Sequence, residues 1–118
     1  MTTDLNTKAN KRKLRELSGA AYTRELGNEL AKVEMDFARW RSGEIDPFEL
    51  SDRIHRFHDG VSRDLYVTYG NLPPSHAVAR AVALQILERG EVPGLQGSHL
   101  EPTIQFFAEA GEPTLSPE

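Results

Sequence analysis

The chain has 118 residues, of which 38% are hydrophobic and 27% are charged, and its formal net charge is −4. This length fits one compact domain, and this composition is typical of a globular protein, not of a disordered or membrane-embedded one. The absence of cysteine excludes disulfides, thiolate metal sites and thiol catalysis. Because no apolar run approaches the roughly 18 residues of a membrane-spanning helix, we expect a cytoplasmic protein.

The N-terminal segment, residues 1–13, is strongly basic. Within residues 1–15 only Asp4 opposes five basic side chains: Lys8, Lys11, Arg12, Lys13 and Arg15. We expect this segment to be a flexible, solvated basic arm. The arm could instead contact the phosphates of a nucleic acid, which would make the protein a nucleic-acid-associated accessory protein. The absence of interleaved aromatic side chains argues against that reading.

A helical domain is predicted over residues 14–90, and it begins with a long helix. Apolar residues recur along this helix in alternating steps of four and three, which is typical of a coiled-coil seam: Leu26, Leu30, Val33, Phe37 and Trp40. Upstream, Leu14 and Leu17 project to a different side, so either the helix bends near Gly19 or its first turns pack against another element. The helix is expected to end near Gly43, because glycine adopts the left-handed conformation that closes many helices.

A second helix is predicted to begin in the stretch Asp46 to Glu49. Asp46 can cap the first turn, Pro47 suits the first helical position, and Glu49 can reach back to the cap. The apolar seam of this helix again follows steps of three and four: Leu50, Ile54, Phe57, Val61 and Leu65. Because the pattern keeps its phase across Gly60, the helix should continue to about Gly70 and form a hairpin with the first helix.

The third predicted helix, Ser75 to Arg89, is apolar on nearly every side, with Ser75 as its N-cap and Gly90 as its terminator. A helix of this kind must be covered on more than one side. Either the C-terminal segment folds back over it or a second subunit covers it, and we favour a symmetric dimer. Three apolar residues that lie off the main seams are assigned to an interface: Phe48, Tyr66 and Met35.

After Gly90 the composition shifts toward proline, glycine and acidic residues, without lysine or arginine. Residues 91–118 are therefore expected to form an irregular acidic tail, with a short helix allowed at residues 101–110. The fold class predicted for the whole chain is all-α. It consists of a long helical hairpin, a third buried helix that completes a small helical bundle, and this tail.

The strongest candidate site is an Asp-x-x-His-x-x-His cluster in the second helix. Asp52 and His55 lie one helical turn apart, and His58 and Asp59 follow directly. The arrangement imitates the carboxylate and histidine pairs that bind divalent metals in helical bundles. The chain holds no second copy of the motif, so the full ligand set is missing. We therefore favour a structural role, with His58 at the edge of the core and His55 near an interface.

No catalytic motif accompanies these histidines. Ser62, one turn after His58, lacks a glycine-rich elbow and oxyanion donors. The sequence also contains no phosphate-binding loop, dinucleotide fingerprint or kinase signature. We therefore assign no catalytic residues and no cofactor, and we do not expect an enzyme. A divalent metal is the cofactor only under the alternative reading of the cluster.

The run IDPFELSDRIHRFHDG, followed closely by RDLYVTYG, resembles a pattern found in small uncharacterised bacterial all-helical proteins. The resemblance covers about Tyr22 to Leu87 and implies a helical fold. That family has no assigned activity, so the resemblance implies no reaction, ligand or site residue.

The sequence as a whole favours a non-enzymatic interaction or regulatory protein that acts as a homodimer or with a protein partner. The reason is that it contains more apolar helix surface than three helices can bury. A metal-binding helical protein that uses the Asp-x-x-His-x-x-His cluster is the first alternative. A nucleic-acid-associated protein that uses the basic arm is the second.

Overall fold

The computed structural model describes residues 8–92 and 100–110, and these residues form helices and turns without a strand. Five α-helices follow one another along the chain: α1 (Lys8–Arg41), α2 (Pro47–Phe57), α3 (Arg63–Asn71), α4 (Pro74–Ala83) and α5 (Glu101–Ala110). A π-helical turn, His58–Ser62, joins α2 to α3, and a 3-10 turn, Arg89–Glu91, follows α4. The all-α class predicted from the sequence is confirmed.

The first helix, α1, is continuous over 34 residues, which makes it roughly 50 Å long at about 1.5 Å per residue. It is not interrupted at Gly19, and its first turns pack into the core through Leu14 and Leu17. The helix already begins at Lys8. Residues 8–13 of the predicted basic arm are therefore its first turns, and residues 1–7 lie outside the described residues.

The turn between α1 and α2 forms where the sequence predicts it. Gly43 has a φ of 81°, in the left-handed region that glycine adopts without steric cost, and its N–H donates to the carbonyl of Trp40 at 3.0 Å. The Asp46 carboxylate accepts the backbone N–H of Glu49 at 2.8 Å and so caps α2. The Glu49 carboxylate does not reach back to the cap but accepts from Arg53 in its own helix.

Helical backbone continues from Pro47 to Asn71, as predicted, but five residues around Gly60 form the π turn. The flanking residues Phe57 and Arg63 both have right-handed helical dihedral angles. The apolar seam still faces α1, because Val61 and Leu65 are buried. A π turn closes i to i+5 hydrogen bonds, so it changes how side chains on either side of it align around the helix axis.

The fourth helix, α4, corresponds to the third predicted helix and begins at Pro74, one residue earlier than predicted. Pro73 occupies the N-cap position and Pro74 the first helical position, so Ser75 lies inside the helix and does not cap it. Pro74 suits this position because its missing N–H would have no partner in a first helical turn.

The same helix ends at Ala83 and does not reach Arg89. Gln85 adopts a φ of 65°, and the N–H of Ile86 donates to the carbonyl of Ala81 at 2.8 Å, which closes the helix end in the way a glycine usually does. This turn allows Leu87 to be buried in the core. The predicted helix was too long because Leu87 continues the apolar periodicity of α4, although the backbone is no longer helical at that residue.

The core lies where the first half of α1 meets α4 and α5. One cluster contains the buried residues Leu14, Leu17, Ala21, Val78, Ala79, Ala81, Val82, Leu87, Val92, Leu100 and Ile104. The side of α4 that we assigned to a second subunit is thus covered by α5 of the same chain. The short helix that the sequence analysis allowed at residues 101–110 forms as α5, and Ile104 of this helix is buried in the core.

The two ends of the molecule differ in thickness. The whole measures about 60 × 25 × 21 Å. At one end α1 packs with α3 and α4, and α5 packs on α4, which gives several layers of helix. At the other end the second half of α1 is paired with α2. We call this two-helix region, residues 26–57, the thin end.

Candidate functional site

The predicted metal cluster does not converge on one point. Asp52, His55, His58 and Asp59 are all exposed on the outer side of α2 and the π turn. Among the described residues, no three His, Asp or Glu side chains come together in a group that could hold a metal ion. His58 is exposed, so the expectation that its ring packs at the edge of the core is wrong.

A buried charge that the sequence analysis missed lies in α4. The Arg80 side chain is only 1% exposed and forms a two-pronged ion pair with Glu25 of α1, at 2.9 and 3.1 Å. The Tyr69 hydroxyl of α3 donates to the same Glu25 carboxylate at 2.8 Å. Three helices therefore meet at one buried polar cluster. A lone arginine within an otherwise apolar helix was the signal for it.

Two tyrosine rings extend this cluster toward the surface. Tyr22 of α1 stacks on Tyr69, with ring centroids 4.7 Å apart and planes within 4° of parallel. The Arg80 guanidinium lies 5.7 Å from the centre of the Tyr69 ring. Burial raises the pKa of the Tyr69 hydroxyl well above its usual value, and the Glu25 carboxylate raises it further. The stack is thus held in place by a neutral hydroxyl and a buried ion pair.

A groove of about 420 Å³ lies beside the π turn, on the surface where Tyr22 emerges. Its lining consists of Tyr22, His58, Asp59, Ser62, Arg63, Tyr66 and Val67. The Tyr66 side of the groove is open, because Tyr66 is 71% exposed. Within the described residues, the side chains of Asp59 and Arg63 form neither an ion pair nor a hydrogen bond. We call this feature the π-turn groove.

A second cavity, of about 530 Å³, lies between α1 and α2 on the charged side of the hairpin. Asp36 of α1 accepts hydrogen bonds from Arg53 at 2.8 Å and from Arg39 at 2.9 Å. Arg53 also donates to Glu49 at 2.8 Å, and this hydrogen bond lowers the pKa of Glu49. Most of the charged side chains that line this cavity are paired, and Asp59, which also lines it, is the exception among the described residues. The cavity therefore presents mainly an ion-pair network.

Three seam residues of the thin end are exposed to an extent that the sequence did not predict, although Leu50 of the same seam is buried. Leu30 is 48% exposed, Trp40 is 40% exposed and Ile54 is 38% exposed. Trp40 packs edge-on against Phe37, with ring centroids 6.4 Å apart, and this last residue of the α1 seam is not enclosed. The three residues that we assigned to an interface are exposed as well: Phe48, Tyr66 and Met35.

The basic residues of the N-terminal segment lie on the exposed side of α1. Lys8, Lys11, Arg12, Lys13 and Arg15 are all exposed. Leu14 and Leu17, in the same turns, are buried in the core.

Within residues 8–92 and 100–110, no helix has both the length and the apolar character needed to cross a bilayer.

Comparison with known proteins gives no assignment: no protein-family model matches the chain, and no curated protein and no solved structure matches it either. The site must therefore be judged from the geometry above. The described residues provide three features of note, namely an exposed seam, a buried ion pair and the π-turn groove.

Proposed function

We propose that the protein is a non-enzymatic interaction protein that acts as a homodimer, with the thin end as its contact surface. One observation carries this proposal. Leu30, Trp40 and Ile54 occupy seam positions with the spacing of a coiled coil, yet the chain leaves them between 38% and 48% exposed. Seams of this kind are normally enclosed by neighbouring helices.

The physical reason concerns how helices are stabilised in water. An amphipathic helix obtains most of its stability from packing of its apolar face, because its intrinsic propensity contributes little. Two helices alone can cover each other's seams only along one line of contact. A second helical pair laid on the first would enclose both seams in a four-helix arrangement, which is a common and stable architecture.

A second copy of this chain suits the surface better than an unrelated partner. Both seams repeat in steps of three and four, so one hairpin offers the ridges that fit the grooves of an identical hairpin. Taking Leu26 as zero and 100° per residue, Glu34 lies at about 80° and Arg41 at about 60°, both at the edge of the α1 seam. Neither side chain forms an ion pair within the described residues.

These two opposite charges are arranged to be self-complementary. A two-fold axis near Phe37, with the two copies of α1 antiparallel, places Glu34 of each copy opposite Arg41 of the other. Two-fold contacts of this kind close after two subunits and do not continue into a fibre. By contrast, Met35 lies about 180° from Leu26 and Phe48 about 160° from Leu50, so this dimer leaves both uncovered.

Size-exclusion chromatography with in-line light scattering tests the dimer. The untagged protein is expected to have twice the mass of one chain, and the variant Leu30→Glu/Ile54→Glu is expected to be monomeric with unchanged helix content. Met35→Glu and Phe48→Glu are matched controls, because they place the same charge on exposed apolar positions away from the seam. A wild-type protein that stays monomeric up to about millimolar concentration would overturn the proposal.

A charge swap tests the arrangement of the two copies. Glu34→Arg and Arg41→Glu are each expected to weaken the dimer, because each brings like charges together twice. The double variant Glu34→Arg/Arg41→Glu should restore the wild-type association. If the double variant is as weak as the single ones, the antiparallel contact is wrong although a dimer could still form elsewhere.

The protein fractions from size-exclusion chromatography also serve to distinguish this proposal from its two alternatives. Elemental analysis that finds one or two metal ions per chain, lost in His55→Ala, would favour metal binding by the cluster at Asp52, His55, His58 and Asp59. Salt-sensitive binding of duplex DNA or RNA that is lost on deleting residues 1–15 would favour the nucleic-acid reading. Neither result is expected for a metal-free dimer that acts through its thin end.

A further inference from the structure

The π-turn groove has a rigid aromatic floor. The ring of Tyr22 is stacked on Tyr69 with centroids 4.7 Å apart, and the Tyr69 hydroxyl is fixed by Glu25, which the buried Arg80 holds in turn. A flat ring that stacks on a second ring, itself fixed by the ion pair of Glu25 and Arg80, offers a preformed surface for stacking. Tyr66 adds a second aromatic ring to the lining of the groove.

The π turn also separates two charges that an ordinary helix would pair. Glu49 and Arg53, four residues apart in α2, form an ion pair at 2.8 Å. Asp59 and Arg63 have the same charges at the same spacing, but they form no ion pair. Residues 58–62 make the π turn between them, so four residues no longer correspond to one helical turn. The groove is thus lined by one unpaired carboxylate and one unpaired guanidinium.

We propose that the π-turn groove binds a small aromatic molecule that carries both a carboxylate and an ammonium group, that is, a free aromatic amino acid. Its ring lies between Tyr22 and Tyr66. Its carboxylate binds the guanidinium of Arg63, and its ammonium group binds the carboxylate of Asp59. Each charged group of the ligand therefore meets a side chain that is unpaired within the described residues.

The chemistry excludes simpler ligands of the same size. An aromatic acid would leave Asp59 without a partner, and an aromatic amine would leave Arg63 without one. Only a zwitterion satisfies both side chains. A groove volume of about 420 Å³ is within the range of roughly 300–1,000 Å³ that is typical of small-molecule sites. Because the groove is open and its charges are exposed, the expected dissociation constant is roughly 1 mM.

The binding test is a titration of the full-length protein, followed by amide proton–nitrogen NMR spectra. L-phenylalanine is the probe. It is expected to shift the amide signals of residues 58–67 in a saturable way. Three matched compounds each lack one group: 3-phenylpropionate has no ammonium, phenethylamine has no carboxylate, and alanine has no ring. All three are expected to bind more weakly than L-phenylalanine.

Two variants assign the charges. Arg63→Gln should raise the dissociation constant of L-phenylalanine roughly three- to five-fold and leave that of phenethylamine unchanged. Asp59→Asn should have the same effect on L-phenylalanine and leave 3-phenylpropionate unchanged. Arg15→Gln, which removes another exposed and unpaired guanidinium, is the control and should change nothing.

Either of two results would overturn the inference. One is the absence of saturable shifts at residues 58–67 with L-phenylalanine at tens of millimolar. The other is equal binding of L-phenylalanine and alanine, since the stacking surface would then play no part. The groove residues are not among those changed in the dimer experiments, so the two proposals fail independently.

Discussion

Arg80 shows how far one side chain can determine the arrangement of three helices. It is buried in α4 beside alanine and valine, where an unpaired charge would cost several kcal/mol. Glu25 neutralises it from α1, and Tyr69 completes the hydrogen bonding of that carboxylate from α3. The attraction between Arg80 and Glu25 mainly offsets the cost of removing both charges from water, so the pair by itself adds little to the free energy of unfolding. It fixes which faces of the three helices meet, because any other rotation leaves a charge without a partner.

We expect Arg80→Met to lower the free energy of unfolding by about 3–5 kcal/mol, because Glu25 would be left as an uncompensated carboxylate beside the core. The double variant Glu25→Gln/Arg80→Met should be destabilised by much less than the sum of the single changes. Urea unfolding followed by far-UV circular dichroism measures both. Arg15→Met, at an exposed position, serves as the control and should change stability by less than about 0.5 kcal/mol. An Arg80→Met protein as stable as the control would contradict this role.

Glu91 gives the protein a component of stability that depends on pH. Two hydrogen bonds from Arg24, at 2.6 and 2.8 Å, are the main cause that lowers the pKa of Glu91 from 4.5 to about 2, and the backbone N–H of Glu88 adds to the effect. Between these two pKa values the unfolded chain binds a proton that the folded chain does not. This contribution is therefore complete above about pH 4.5 and is lost as the pH falls toward 2.

The expected consequence is a flatter pH profile in Glu91→Gln. The urea midpoint of the wild-type protein should fall more steeply than that of the variant between about pH 5 and pH 2.5, since the variant has no proton to gain at this position. Glu16→Gln, which removes an exposed carboxylate of α1 that forms no ion pair within the described residues, should retain the wild-type slope. Equal slopes in all three proteins would show that the contact with Arg24 is not maintained in solution.

At the scale of elements, the fourth and fifth helices, α4 and α5, form one unit. α4 contains a run of buried residues from Ala77 to Val82, and such a helix must be covered on several sides. α1 covers one side and α5 another, so the C-terminal helix replaces the subunit contact that the sequence analysis favoured there. Leu100 and Ile104 provide the buried contacts.

Ile104→Ala therefore tests whether α5 belongs to the folded domain. Ile104 is 3% exposed, and its truncation should lower the free energy of unfolding by about 2–5 kcal/mol through lost burial and a cavity. Phe106→Ala is the matched control in the same helix. Phe106 is 62% exposed, so its loss should have little effect on the urea midpoint. Similar midpoints for the two variants would mean that α5 does not pack on α4 in solution.

At the scale of the whole molecule, the difference between the two ends is the main feature. At the end opposite the thin end, where α1 packs with α4, helices of the same chain enclose the apolar side chains, and Leu14 and Leu17 are buried there. The thin end uses the same kind of seam, but within the described residues it consists of two helices, the second half of α1 and α2. A second copy supplies the missing layer in the proposed dimer, and the chain then has a closed core along its full length.

Much of the fold was predictable from local patterns. The seams of α1 and α2, the Asp46 cap and the turn at Gly43 each depend on residues close together in the sequence, so their signals survive without knowledge of the tertiary structure. The helix end at Gln85 was not predictable in this way. A non-glycine residue with positive φ is uncommon, and it is maintained here because the turn that follows buries Leu87.

The sequence by itself determined the helical class, the hairpin and the number of charges, because periodicity and capping act within one or two turns. Only the tertiary structure decided that Arg80 meets Glu25, 55 residues earlier in the chain, and that the π turn leaves Asp59 and Arg63 unpaired. Which seam residues remain exposed was also a tertiary outcome. It depends on where α4 and α5 end relative to the 34 residues of α1, and no local pattern encodes that distance.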